Sequence, residues 1–283
     1  MRQFTSLLSE HFDFLQGLSS SNVAARLHGE ASEINPMKSA TALRVTLLGS
    51  GWSSSMGGSS TINRQLAIQL AKHSEVEVTF LVPQSACSED EKRMASSHNV
   101  SIREANKLAG FSDPLDWLSF PPRDLVIDFV LGHGVKLGKQ AQVIRNSHNC
   151  KWSQVVQIAS VELSMFRTYP SAISRTYPSG ISVTEAELYK LADVAVAVGA
   201  ELSSTFSAQF LSYNSQDILL LTPGIFPEFT DIKQALQESA FFKVLTFGRG
   251  DTEDISLKSY DIAARAIVEL KDKSYRLIFV GAP

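Results

Sequence analysis

The first segment with residues that could do chemistry is a glycine-rich stretch over residues 49–60. It joins an apolar run at 44–48 to a segment with helical apolar spacing at 62–70, which predicts a strand-to-helix turn. Glycines at such a turn let a ligand approach the backbone, and the free N–H groups at the helix start attract an anion. The stretch therefore predicts a site for a negatively charged ligand. The alternative is a glycine-rich loop that binds nothing.

This stretch lacks the residues that two common phosphate sites require. A P-loop has lysine followed by serine or threonine after its last glycine, whereas Ser59 and Ser60 follow here. A dinucleotide-binding turn needs a third glycine where, after Gly49 and Gly51, the sequence has Ser54. It also needs an acid near the end of the second strand, which the sequence does not have there. The pattern argues against an NTPase and against a nicotinamide-dependent oxidoreductase.

The elements that would hold this turn alternate between apolar runs and helical patterns. Residues 1–42 form a leader and linker, and seven apolar runs separated by helical segments fall within residues 43–230. Strands without polar alternation, separated by helices, predict a doubly wound parallel sheet of the Rossmann-like kind. The runs lie at 44–48, 76–82, 100–103, 125–131, 152–158, 194–198 and 218–221.

A second β-α pattern occupies residues 231–283. It follows a turn at 222–226 and contains strands at 242–247 and 275–280 with a helix between them. One such β-α-β unit is too small to bury both faces of a parallel strand pair. We therefore expect this region to be the truncated start of a second Rossmann-like domain.

Composition limits the binding partners and the cellular location that we expect for the protein. The formal net charge is −3, with 26 basic and 29 acidic residues mixed along the chain, which is unlike the basic face of a nucleic-acid-binding protein. The 2 cysteines match no zinc spacing. No run approaches the about 18 apolar residues of a membrane span, and no secretory signal is evident, so we expect a cytoplasmic protein without a transmembrane segment.

Residues 56–67, which read Met-Gly-Gly-Ser-Ser-Thr-Ile-Asn-Arg-Gln-Leu-Ala, resemble the first loop and helix of the family-4 retaining glycosyltransferases. The resemblance continues in order through residues 124–134, 191–199, 222–225 and 244–249. It implies the GT-B fold, in which a first Rossmann-like domain holds mainly the acceptor and a second holds the nucleotide sugar. The partners would be a nucleotide-sugar donor and an unknown acceptor, with no cofactor and no metal.

The resemblance also implies roles for individual residues. Gly57 and Gly58 would lie against the donor diphosphate and the acceptor. Arg249, with Lys258 as its partner, would stabilise the negative charge of the departing nucleoside diphosphate without a metal. The alternative is that both cations are simply solvated near the end of a strand.

Two further positions concern the sugar-transfer step. His133, between two glycines, would deliver a polar group to the reaction site, unless it is only a loop residue. The family pattern places a histidine where Gln157 stands, and glutamine can form hydrogen bonds but cannot take up a proton at neutral pH.

These observations leave two functional hypotheses. The first is a retaining glycosyltransferase, and the second is a non-catalytic carbohydrate- or nucleotide-binding pseudo-enzyme, which Gln157 and a tandem octapeptide over residues 167–182 motivate. The Glu-x7-Glu segment that would engage the donor does not occur in the sequence. We therefore expect no transferase activity from the 283-residue chain as given.

Overall fold

The computed structural model describes residues 42–53, 58–156, 183–200, 204, 218–222, 224, 241–247 and 260–281. Described residues up to 222 belong to one compact unit, and those from 224 onwards belong to a second. The predicted leader up to residue 41, the octapeptide repeat and the predicted boundary at residue 230 lie outside the described residues, and the division into three segments stays a prediction.

The first unit is built on a parallel sheet. Its seven strands in the described residues have the order β3-β2-β1-β4-β5-β6-β7. The strands are β1 (Leu43–Leu48), β2 (Val76–Pro83), β3 (Val100–Ala105), β4 (Phe129–His133), β5 (Lys151–Val156), β6 (Val194–Val198) and β7 (Ile218–Leu221). The helices are α1 (Gly58–Leu70), α2 (Glu89–Ser97), α3 (Gly134–Ser147) and α4 (Val183–Leu191), with a 3₁₀ helix at Pro114–Ser119. This confirms the predicted doubly wound sheet.

The apolar strands bury both of their faces. In β1, Val45 and Leu47 belong to one apolar cluster, which α1 covers, whereas Leu48 belongs to a second cluster, which α3 covers. Because successive side chains of a strand point to opposite faces, this division shows a sheet covered on both sides. The lack of polar alternation in the sequence has this physical cause.

The predicted start of β4 was wrong. The apolar run begins at Leu125, but β4 begins only at Phe129 because the preceding residues form a loop tied to β1. The Asp128 carboxylate accepts hydrogen bonds from the backbone N–H of Arg44 (2.9 Å) and from its guanidinium (2.8 and 2.7 Å). The backbone N–H of Asp128 in turn donates to the Arg44 carbonyl at 3.0 Å.

Asp193 joins three elements near the amino ends of β5 and β6. Its carboxylate accepts hydrogen bonds from Arg145 Nε of α3 (2.9 Å), from Lys151 Nζ (3.0 Å) and from the backbone N–H of Trp152 (3.0 Å). Burial alone would raise the pKa of Asp193, but these hydrogen bonds outweigh it and lower that pKa. The carboxylate is therefore ionised at neutral pH and ties α3 to the sheet.

Replacing Asp193 by alanine is expected to lower the free energy of unfolding of this unit by about 2 kcal/mol. The change leaves the N–H of Trp152 without its acceptor, whereas Arg145 and Lys151, whose side chains are 40% and 33% exposed, regain solvation. Urea unfolding followed by tryptophan fluorescence measures the loss. The matched control is Asp124→Ala, which breaks the exposed pair with Arg103 and should leave the midpoint almost unchanged. Equal midpoints for the two variants would contradict the role of Asp193.

The described part of the second unit is one β-α-β segment, and its two strands confirm the predicted positions. It consists of β8 (Phe242–Phe247), α5 (Tyr260–Glu269) and β9 (Tyr275–Val280), with the strands parallel. The Tyr260 ring packs edge to face on Phe279 with centroids 4.8 Å apart. Apolar side chains of both strands, including those of Leu245 and Phe247, remain exposed.

None of the helices in the described parts of the chain is long and apolar enough to cross a membrane.

Candidate functional site

The strand order reverses direction between β1 and β4. We call the opening between the carboxyl ends of these two strands, after Leu48 and His133, the fork. From β1 the chain proceeds outward through β2 and β3, and from β4 it proceeds in the opposite direction through β5, β6 and β7. The pairing of β1 with β4 ends at Leu47 opposite Leu131, and the helices that follow, α1 and α3, pack on opposite faces of the sheet. Such a reversal of strand order leaves a crevice outside the carboxyl ends of the strands, where open α/β sheets bind ligands.

His133 stands on one side of this fork. It is the last residue of β4 and directly precedes α3, and only 7% of it is exposed. Burial lowers the pKa of His133 to about 4, because the charged imidazolium would lose its solvation. The side chain is therefore neutral at physiological pH, and a neutral imidazole can donate one hydrogen bond and accept another.

Two glycines let α3 start close against the sheet beside His133. A Cβ at Gly132 would lie 2.5 Å from the carbonyl oxygen of Leu137, and one at Gly138 would lie 2.3 Å from Oε1 of Gln154. Gly134, the first residue of α3, has φ +57°, a backbone conformation that favours glycine. The turn after β4 therefore requires glycine on both sides of the histidine, at 132 for lack of space and at 134 for its backbone conformation.

Aromatic packing fixes the other side of the fork. A Cβ at Gly49 would lie 2.4 Å from the ring of Phe80, so the chain passes directly over that ring as β1 ends. The ring of Trp52, which is 1% exposed, then packs edge to face on Phe80 with centroids 5.3 Å apart. The start of the glycine-rich turn is thus anchored to β2.

The helices that follow the fork strands begin without acids. Neither α1 nor α3 has an acidic residue in its first turn, and α3 lacks a side-chain cap. By contrast, α2, which follows β2, begins with three acids and is capped by Ser88 and Glu91 in a capping box. Because no acid offsets the positive dipole end of α1 or α3, the fork is favourable for an anion or a polar ligand.

The structure places part of the predicted site. His133 lies at the fork, and Gly58 begins α1. Gly57, Gln157, Arg249 and Lys258 lie outside the described residues, so their roles stay predictions, as does the expected absence of a metal or cofactor.

Sequence reasoning missed two buried amides, Asn63 in α1 and Gln154 in β5. They are 3% and 0% exposed, and each donates a hydrogen bond to the backbone next to the fork. The signal that could have revealed Gln154 is a polar residue inside an otherwise apolar run. Asn63 carries a similar signal, because it is the polar member of a set with Leu66, Ala67 and Leu70 at the spacing of one helix face.

Comparisons with known proteins agree with this architecture. The sequence profile of a family described as Family 4 Glycosyltransferase in conflict systems matches residues 46–283. Sucrose-phosphate synthase from Thermosynechococcus elongatus superposes with a TM-score of 0.54 at 13% sequence identity, covering 85% of this chain and 71% of that chain. UGT89C1 of Arabidopsis thaliana, complexed with UDP, gives a TM-score of 0.47 at 14% identity, covering 85% and 67%. A search of curated proteins finds none that matches the chain.

The likeness to sucrose-phosphate synthase supports the predicted GT-B fold. The family profile spans far more than half of the 283 residues and includes both the fork and the second unit. The chain therefore belongs to the family 4 glycosyltransferases in conflict systems, a family whose class of reaction is sugar transfer.

Proposed function

We propose that this protein transfers a sugar from a nucleotide-sugar donor to an acceptor with retention of configuration at the anomeric carbon. The observation that carries the proposal is the fork between β1 and β4, where a buried neutral histidine stands beside two helix starts that lack acids. Membership of the family over residues 46–283 supplies the reaction class. Retention is the outcome that the resemblance to family-4 enzymes implies.

In the proposed reaction the bond between the anomeric carbon and the diphosphate oxygen breaks while the acceptor oxygen bonds to that carbon from the same face. The acceptor proton passes to the departing diphosphate. His133 hydrogen-bonds a substrate hydroxyl in its neutral form, since the site disfavours its charged form. Gly57 and Gly58 let the phosphates approach the backbone, and Arg249 and Lys258 stabilise the developing negative charge. Gln157 serves only as a hydrogen-bonding group.

The test is a donor panel assayed with protein expressed from its complete reading frame. We expect one nucleotide sugar to be consumed in the presence of a suitable acceptor, and proton NMR of the fresh product to show the donor's anomeric configuration. A product of inverted configuration would refute retention. Absence of transfer from every donor, with acceptors of several classes, would refute the enzyme assignment.

We propose further that the 283-residue chain as given has no transferase activity, because no Glu-x7-Glu pattern occurs in it to engage the donor. Turnover by this chain in the same donor panel would contradict the proposal.

The second candidate function is a non-catalytic module that binds nucleotides or carbohydrates. Gln157 favours it, because that residue occupies the position where the family pattern has a histidine. Its distinguishing result is a ligand-induced rise in melting temperature without any turnover, even for protein from the complete reading frame. Replacing Gln157 by histidine then provides a direct check, since a gain of transfer would show that the missing imidazole limits activity.

A further inference from the structure

On each side of the fork, one buried side-chain amide donates a hydrogen bond to a backbone carbonyl. Asn63 Nδ2 donates to the carbonyl of Leu48, the last residue of β1, at 2.7 Å. Gln154 Nε2 donates to the carbonyl of Gly134, the residue after His133, also at 2.7 Å. The two residues come from different elements, α1 and β5. Each of them donates to a backbone carbonyl where the chain leaves one of the two fork strands.

The bond from Asn63 replaces a missing strand contact. Neighbouring residues of a strand direct their backbone groups to opposite sides, and the N–H of Gly49 donates to Leu81 of β2. The Leu48 carbonyl therefore points toward β4, whose pairing with β1 has already ended at Leu131. Asn63 satisfies this carbonyl at the point where the fork opens, and it sets the direction in which the glycine-rich turn leaves the sheet.

The bond from Gln154 holds the turn that carries His133. Gln154 lies opposite Gly132 in the sheet register, and its amide is wedged beneath the first turns of α3 against Gly138. Because a Cβ at Gly138 would lie 2.3 Å from Oε1, the amide has almost no freedom to move toward the helix. The carbonyl of Gly134, on the C-terminal side of His133, is thus held by a buried amide that Gly138 confines.

Stability alone does not account for these two amides. Within the described residues, Asn63 Oδ1 and Gln154 Oε1 are buried and have no hydrogen-bond partner. Burying an amide with only part of its hydrogen bonds made is unfavourable, so part of the stability gained by satisfying the Leu48 and Gly134 carbonyls is lost again. Residues that burden the fold in this way are typical of sites where backbone geometry serves function.

We propose that Asn63 and Gln154 are positioning residues for sugar transfer, which hold the start of the glycine-rich turn at residues 48–53 and the His133–Gly134 turn in place on the two sides of the fork. The inference rests on the proposed function. Neither residue needs to touch substrate: Asn63 acts through the backbone at Leu48, and Gln154 acts through the backbone at Gly134.

The experiment uses Asn63→Leu and Gln154→Met, which keep size and remove the amide, in protein expressed from its complete reading frame. Hydrogen exchange followed by mass spectrometry should show at least about tenfold faster exchange in peptides covering 44–53 and 129–138, with the rest of the first unit unchanged. For sugar transfer we expect kcat to fall about tenfold and KM to change less, because misplaced loops reduce stabilisation of the transition state more than they reduce substrate binding.

Gln140→Met is the matched control. Gln140, on α3, is another buried amide, but its partners are Ser119 and Asp116 of the 3₁₀ helix and not the backbone at the fork. Its replacement should loosen that helix and leave kcat unchanged.

Four results separate the possibilities. Local loosening at the fork together with reduced kcat supports the inference. Unchanged exchange in both fork peptides overturns it. Faster exchange in these peptides with a kcat equal to that of the Gln140→Met control overturns it as well. Absence of transfer by the unmodified protein refutes the proposed function instead, and the inference falls with it.

Discussion

Replacing Gly132 by alanine is expected to lower the free energy of unfolding of the first unit by about 3 kcal/mol. The added Cβ would lie 2.5 Å from the Leu137 carbonyl oxygen, 2.8 Å from Ala141 Cβ and 2.9 Å from Gly138 Cα. Two of these atoms belong to the backbone of α3, so no side-chain rotation relieves the overlap and the helix must move away from β4. Close-packed interiors tolerate such insertions poorly.

Tryptophan fluorescence during urea unfolding measures this loss, because the 3 tryptophans, Trp52, Trp117 and Trp152, all belong to the first unit. Gly51→Ala is the control, since among the residues that the structure describes a Cβ at Gly51 would meet only the carbonyl oxygen of Ala86, at 3.4 Å. Its expected cost is less than about 1 kcal/mol. If Gly132→Ala unfolded at the same urea concentration as Gly51→Ala, α3 would not pack on β4 as closely as described.

The sheet could be predicted because its cause is local. Apolar runs such as 76–82 and 194–198 lack polar alternation, and that property belongs to the run itself. The start of β4 could not be predicted in this way. It depends on Asp128 meeting Arg44, a residue 84 positions away, and no short window of sequence contains both partners.

The same distinction between local and long-range causes applies to the candidate site. His133 could be proposed from its place between two glycines after an apolar run. The amide of Gln154 could not be assigned, because its role depends on the register that sets it opposite Gly132 and beneath Gly138. Gly57, Gln157, Arg249 and Lys258 remain predictions that rest on resemblance alone.

The stability of the first unit is expected to fall by about 2 kcal/mol between about pH 7.5 and about pH 5 because of His133 alone. Burial lowers the pKa of this histidine from 6.5 to about 4 in the folded protein. Between these two values the unfolded chain binds a proton that the folded chain does not, so lowering the pH favours unfolding. The loss begins near pH 6.5 and levels off below pH 4.

Carboxylates whose pKa is lowered in the folded protein, such as Asp193 and Glu104, contribute little to the slope above about pH 5. Asp193, whose pKa is lowered from 3.8, loses its stabilising charge only at lower pH. Urea unfolding across the range therefore isolates the histidine contribution, and His133→Gln should remove most of the slope because glutamine does not titrate. His98→Gln, a change at an exposed position, should keep the slope of the parent.

The comparison of slopes also bears on the chemistry. A buried histidine that stays neutral does not take up the proton that the unfolded chain binds. This difference in proton binding produces the pH slope of the stability. If the slope survives in His133→Gln, the imidazole is not the buried neutral group at the fork. His133 could then take a proton in the working range of pH, and its proposed role as a neutral hydrogen-bonding group would be wrong.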